Sequence, residues 1–468
     1  MAEESGSTRP KALKINLDGL KYGTFAEIGA GQEVARWFFH AGKAAGTIAK
    51  TISAYDMAIS DGIYGPTQHY CSRQRLEAML DHEFTRLVER LDQTRGERTA
   101  FFAFADTSAT QTRSQRAAGH SWLGVRFQTE PRGEPSQIIL HVDMLDPVTV
   151  EQQEALGLAG VNLIYGAFYN AEDPAHLIAS LMDDLSRRRI EVDTIKFSGP
   201  AFAKVDNRLM SLQLVEQGLT DAAMFTAAGE VVQPAEVLYN KPVLIGRGSF
   251  RPVTNVALEV LDRAVHQLQQ DSPDAQDLVV LMEMTLNNLM SEQAIDHRDF
   301  LARVDILGAL GKMVMVSNYT RFDKVTSYLR HYTQNWIGMA MGVPTLREIF
   351  EEKYYTDLEG GILEGLGKLF QGHVKLFIYP TRETDAGDLT TSDSLNVKPE
   401  LSHLYRHLVE NGYIESIREF DAGGLHVTPG AVLASIQSGD PSWESLVPAQ
   451  AATMIKEKGL FGYGTGGG

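Results

Sequence analysis

Short apolar runs alternate with helix-period segments along most of this chain, which is the punctuation of α/β domains. Residues 99–105 form a compact apolar strand that ends on Asp106, Thr107 and Ser108. Such polar tips collect where ligands bind in open α/β sheets. Residues 122–128 and 136–146 alternate across a turn-rich TEPRGEP and predict neighbouring antiparallel strands. Helical spacing predicts helices over 73–91, 150–169 and 174–188, followed by a strand from Ile190 and a Ser-Gly-Pro turn. Val34, Trp37, Phe38 and Ala41 make a further helical stripe. Residues 12–31 predict one short strand and a turn, after a disordered leader over 1–10. Past the middle, 277–286 is a strand, 299–311 a helix, 312–329 a strand, loop and helix, 374–380 a strand and 401–412 a helix. The fold class expected is α/β, as two open Rossmann-like domains with mixed sheets over 1–235 and 236–468.

The densest pattern lies just past that boundary. Val243, Leu244 and Ile245 suit a strand covered on both faces, and Gly246 and Gly248 let the backbone turn and approach a neighbour closely. Leu258, Leu261 and Val265 then recur at helical spacing. Thr254 is placed to cap the helix, and a helix start attracts anions. The residues admit two readings, a phosphate site or an ordinary βα turn.

The run Gly248, Ser249, Phe250, Pro252, Thr254 resembles the G-S/T-F-x-P-x-H/T-x-G-H segment of the nucleotidyltransferase superfamily, in particular pantetheine-phosphate and nicotinamide-nucleotide adenylyltransferases. Along its length the chain also resembles a bacterial family labelled nicotinate- or nicotinamide-nucleotide adenylyltransferase. The resemblance implies a nucleotide-binding protein with Gly246, Gly248, Ser249, Arg251 and Thr254 around phosphate and Arg321, in the polar run Ser317 to Arg321, as a distal contact. It implies ATP as ligand, with magnesium bridging its phosphates if transfer occurs. The chain departs from the pattern where the Gly-His pair stands as Val256 and Ala257 and where the acidic residue before proline is Arg251. A missing donor at developing charge costs about two to three powers of ten in rate. Adenylyl transfer is therefore expected to be weak or absent, and the alternative function is a noncatalytic scaffold or self-assembling cytosolic protein.

Other candidates fall away on spacing. Gly29 and Gly31 lack a third glycine for a dinucleotide loop, and Gly42-Lys43 is followed by Ala44 instead of Ser or Thr. The small-residue run over 41–65 suits close helix or backbone packing, or a contact between copies in a homo-oligomer. His120, His141, Asp143 and Asp146 imitate a metal set but lack ligand spacing, so structural histidines are expected. Asp206, Asn207 and Arg208 read as a helix cap or internal ion pair ahead of a ligand contact in which Arg208 forks to a phosphate.

Composition narrows the partners. A net charge of −17 opposes nucleic acid and anionic membrane surfaces, leaving a small-molecule nucleotide as the expected partner. The single cysteine, Cys71, excludes a disulfide framework, and the absence of a long apolar run and of a leader peptide points to a cytoplasmic protein.

Overall fold

The computed structural model describes residues 7–110, 119–272, 275–291, 294–382 and 389–464. The chain divides into two compact α/β units, Met1–Asp221 and Ala222–Gly468. The sequence reading draws this division between residues 235 and 236. In the structure the strand Ala222–Phe225 pairs within the second sheet and carries the residues after it into the second unit.

Unit 1 is a mixed six-stranded sheet. Its strands are β1 (Lys21–Ile28), β2 (Ile48–Ile52), β3 (Ala100–Ala109), β4 (Gly119–Phe127), β5 (Ser136–Met144) and β6 (Ile190–Ser198), in the order β2-β1-β3-β4-β5-β6. The first three are parallel, and β3 through β6 run antiparallel. Helices α1 (Thr8–Leu17), α2 (Glu33–Ala41), α5 (Thr149–Tyr169) and α6 (Pro174–Ser180) bury one face over Phe25, Phe104, Leu123 and Val142. The longest helix, α4 (Arg73–Arg95), covers the other face with Leu76, Met79 and Leu80 against Ala103 and Trp122, and α3 (Met57–Tyr64) adds Tyr64 to the same layer. Asp206 caps α7 (Asn207–Glu216) and pairs with Arg208, as the sequence predicts.

Two stretches of unit 1 differ from expectation. Residues 8–17 are helical because their buried positions, Thr8, Lys11, Ala12, Ile15 and Asn16, recur at helical spacing. Three of those five are polar and hide the stripe. Lys11 reaches Asn162 at 2.8 Å, and Asn16 donates to the carbonyls of Phe38 and Gly42. The small-residue run over 41–65 follows a helical stripe but contains the edge strand β2, parallel to β1, so of the expected helix or backbone packing the structure shows the backbone kind there. Residues 1–6 of the expected leader and 465–468 of the glycine tail lie outside the described residues.

Unit 2 holds an eight-stranded sheet. The strands are β7 (Ala222–Phe225), β8 (Val231–Val232), β9 (Val243–Arg247), β10 (Val279–Thr285), β13 (Met313–Ser317), β14 (Ile337–Gly342), β15 (Val374–Tyr379) and β18 (Ile414–Ser416). Two hairpins stand outside it, β11 (Met290–Ser291) with β12 (Ala294–Ile295) and β16 (Thr381–Arg382) with β17 (Leu389–Thr390). Across the sheet the parallel strands run β13-β10-β9-β14-β15-β18. In chain order that is third, second, first, fourth, fifth, sixth, the order of doubly wound nucleotide-binding folds. The antiparallel β7 and β8 close the edge beside β13.

The helices of this unit are α8 (Pro234–Leu238), α9 (Asn255–Asp271), α10 (Leu286–Leu289), α11 (His297–Ala309), α12 (Phe322–Arg330), α13 (Val343–Ile349), α14 (Gly361–Leu369), α15 (Ser402–Glu410), α16 (Pro429–Ser438) and α17 (Ala449–Lys458). The core over Ile245, Leu281, Met339 and Leu376 is built from the near-continuous apolar strands that a doubly covered sheet requires. Among the described residues no helix is long and apolar enough to cross a membrane.

Candidate functional site

The strand order in the sheet of unit 2 reverses between the parallel β9 and β14, since successive strands are added one way from β9 and then on its other side. Ligands of open α/β sheets bind beyond the carboxyl ends of the strands at such a point. The loop Gly248 to Val253 leaves β9 there and enters α9. Thr254 is the N-cap of α9, its hydroxyl accepting the Ala257 N–H at 3.1 Å. Gly246 serves packing: a Cβ there would lie 2.6 Å from the Leu261 side chain, so its absence lets α9 sit on β9. The turn itself is made at Phe250, a buried side chain on left-handed backbone with φ 47°.

Arginines and carboxylates frame the loop. Arg247 forms a bidentate pair with Glu283 through Nε at 2.8 Å and Nη2 at 3.0 Å, and its third nitrogen donates to the Thr320 carbonyl. Register explains the contact, because Arg247 and Glu283 are partners on adjacent parallel strands. Ser317, at the end of β13, donates to the same Glu283 carboxylate at 2.6 Å. The fully buried Glu283 thus has a cation and a hydroxyl on it, as a charge sealed from water requires. Arg303 on α11 reaches the Ser249 carbonyl at 3.0 Å and shares Asp299 with Arg251, whose Nε lies 2.6 Å from that carboxylate.

The structure gathers Gly248, Ser249, Arg251 and Thr254 on the one β9–α9 connection, while Gly246 stands within β9 itself, where it serves packing and not a phosphate. Arg251 spends Nε on Asp299 and leaves a third of its side chain exposed, and the Ser249 hydroxyl has no protein partner among the described residues. Arg321 stands past β13 and is fully engaged, through Asp323, Asp357 and the Tyr354 carbonyl. Magnesium would need a carboxylate beside the phosphates. Glu283 and Asp299 are both bound to the arginines above, so neither is left for the ion.

Unit 1 concentrates polar groups at one end of its sheet, on both faces. On the α2 face, Glu27 and Asp106 are partners on β1 and β3. Glu27 accepts the Val34 and Ala35 N–H groups at 2.9 and 3.0 Å, so a strand carboxylate caps the start of α2. Neither oxygen of the fully buried Asp106 has a partner at good hydrogen-bond geometry. Burial and then the neighbouring Glu27 push the Asp106 carboxyl well above its ordinary range, and the Ile28 backbone and Ser108 side chain offset only part of that. On the α4 face, His141 Nδ1 lies 2.8 Å from Asp193 and its Nε2 lies 3.2 Å from His120 Nδ1. The carboxylate assigns the proton to His141 Nδ1. Burial lowers His120 to about 4 and raises the Cys71 thiol, 3.6 Å from His120, to about 12. That thiol is no nucleophile. No metal-binding group of acids, cysteines or histidines occurs among the described residues. Asp146, the fourth residue of the imitated set, pairs with Arg189.

Sequence reasoning misses Glu27, the raised Asp106 carboxyl and the pairing that joins Arg247, Glu283 and Ser317 into one cluster, although it places Glu283 and Ser317 separately at strand ends. The signal was available for the cluster: Arg247 closes one apolar strand and Glu283 sits within another, and charged residues there call for each other.

No protein-family model matches the chain, and no curated protein matches it. Among solved structures, the competence/damage inducible protein CihA from Agrobacterium tumefaciens is similar at 16% identity, over 35% of this chain and 97% of that one, with a TM-score of 0.25. A competence or damage-inducible protein from Enterobacter asburiae is similar at 15% identity, over 34% of this chain and 95% of that one, with a TM-score of 0.26. Likeness at this level carries no argument about what the chain does.

Proposed function

We propose that unit 2 binds a nucleotide at the β9–α9 loop without catalysing adenylyl transfer. The observation that carries this reading is topological: the loop from Gly248 to Thr254 leaves the first strand of a doubly wound sheet where the strand order reverses. The remaining nitrogens of Arg251 and the Ser249 hydroxyl supply donors of the type that phosphate oxygens take. Transfer fails for a local reason. Ala257 offers a methyl group where the resembled family has a histidine, and its N–H is already spent on Thr254. Val256 packs against Gly424, so the close approach of a second substrate is blocked at that position.

Titration calorimetry with ATP, nicotinamide mononucleotide and NAD, with and without magnesium, tests the reading. Saturable heat that Arg251→Ala weakens roughly tenfold supports it. Robust pyrophosphate release from ATP with nicotinamide mononucleotide or phosphopantetheine would contradict the noncatalytic half. A noncatalytic scaffold is the second reading, favoured by the pairing of Arg247, Arg251 and Arg321 with carboxylates of the same unit.

A further inference from the structure

Resting on that reading, we propose that the segment Asp440 to Leu446 is a clasp that competes with the ligand's phosphate for the start of α9. The Leu446 carbonyl accepts the Asn255 N–H at 2.9 Å, and the Ser445 carbonyl accepts the Asn255 side-chain amide at 3.0 Å. Asn255 is the first residue of α9, so its N–H is one of the unpaired donors that make a helix start attract anions. With Ala257 donating to Thr254, two of the first three amides of α9 are occupied by the protein itself. A phosphate seated there must replace the Leu446 carbonyl.

The build of the segment suits release at its tip. Trp443 is 1% exposed and stacks edge-on to Tyr463 with ring centroids 5.9 Å apart, which anchors the middle of the turn. Ser445 and Asn255 are exposed, so the two bonds that hold the tip to α9 lie at the surface. The segment also brings acidic groups, with Asp440 capping its turn at Ser442 and Glu444 paired with Lys456. A second line of contacts keeps the chain ahead of the segment in place on α9. Asp421 N–H donates to Glu259 at 2.8 Å, and Tyr379 donates to the same carboxylate at 3.0 Å. The tip can therefore part from Asn255 while Trp443 and Asp421 stay docked.

Asn255→Ala removes one of the two tip bonds and keeps the backbone donor that a phosphate would use. Calorimetry with ATP on the full chain should show the variant binding on the order of three- to tenfold tighter than the wild type, the worth of one neutral hydrogen bond. Hydrogen exchange in 440–446 should quicken when ATP saturates the wild type. A silent wild type beside a binding variant supports the clasp as strongly. Equal affinities with unchanged exchange in 440–446 overturn the clasp and leave the nucleotide reading standing. Absence of heat in both proteins, with exchange in 440–446 quickened by the substitution alone, overturns the nucleotide reading and the gating role with it.

Discussion

The strand ends of the two sheets handle buried charge in opposite ways. In unit 2, Glu283, Arg303, Arg321 and Asp323 are buried and each lies in an ion pair, with Arg247, Asp299 or each other. In unit 1, Glu27 and Asp106 stand side by side on parallel strands with no ion pair among the described residues, and burial raises both carboxyls, Glu27 to about 7. One end offsets buried charge by pairing, and the other favours the protonated form. Substitution of a partner should therefore break the first, and pH should act on the second.

The largest effect is expected from Arg247→Ala, which strands the fully buried Glu283 carboxylate with a single hydroxyl donor. Breaking a buried pair from one side costs about 3–5 kcal/mol. Denaturant unfolding of the full chain should show that loss, and double substitution with Glu283→Gln should recover part of it. A loss below that of an exposed pair would mean that Glu283 is solvated.

The next effect is in unit 1. A carboxyl whose folded pKa is raised binds its proton more tightly in the native state, so its contribution to stability is greatest below the unfolded value and falls as pH rises towards the folded value. For Asp106 the decline begins near pH 4 and amounts to about 1.4 kcal/mol per pH unit for the one retained proton. Asp143, raised to about 7 by burial and by Asp193, adds to the slope over the same window. Asp106→Asn should flatten the dependence between pH 5 and pH 7, measured as the denaturant midpoint at each pH. An unchanged slope would remove Asp106 as the proton holder.

Smaller still is the cap. Thr254→Ala deprives the Ala257 N–H of its acceptor and should cost about 1 kcal/mol in unfolding. If Thr254 served only a ligand, the unfolding curve would not move.

The alternation of apolar runs and helical stripes made the α/β class legible, and the cap at Asp206 was equally local; the strand expected to end on Asp106 instead runs on to Ala109, with Asp106 and Thr107 buried inside it. What escaped were features that depend on neighbours far apart in sequence. The stripe of α1 is carried partly by Lys11 and Asn16, whose burial makes sense only with Asn162 and the carbonyls of Phe38 and Gly42 in place. The strand order of unit 2 depends on pairings such as Ile337 with Val243, which no local pattern encodes. The candidate residues from Gly246 to Thr254 could be gathered from sequence because they lie on β9 and the connection that leaves it. Arg321 could not be judged so, since its partners Asp323 and Asp357 decide where its charge goes.

Titration of the full chain with ATP, alongside Arg251→Ala and Asn255→Ala, tests the nucleotide reading most directly. The account predicts saturable heat that is tighter in Asn255→Ala and weaker in Arg251→Ala, because the first loosens the Leu446 carbonyl and the second removes the part-exposed guanidinium at the loop. No heat from ATP in the wild type or in Asn255→Ala, with both proteins folded, would contradict it.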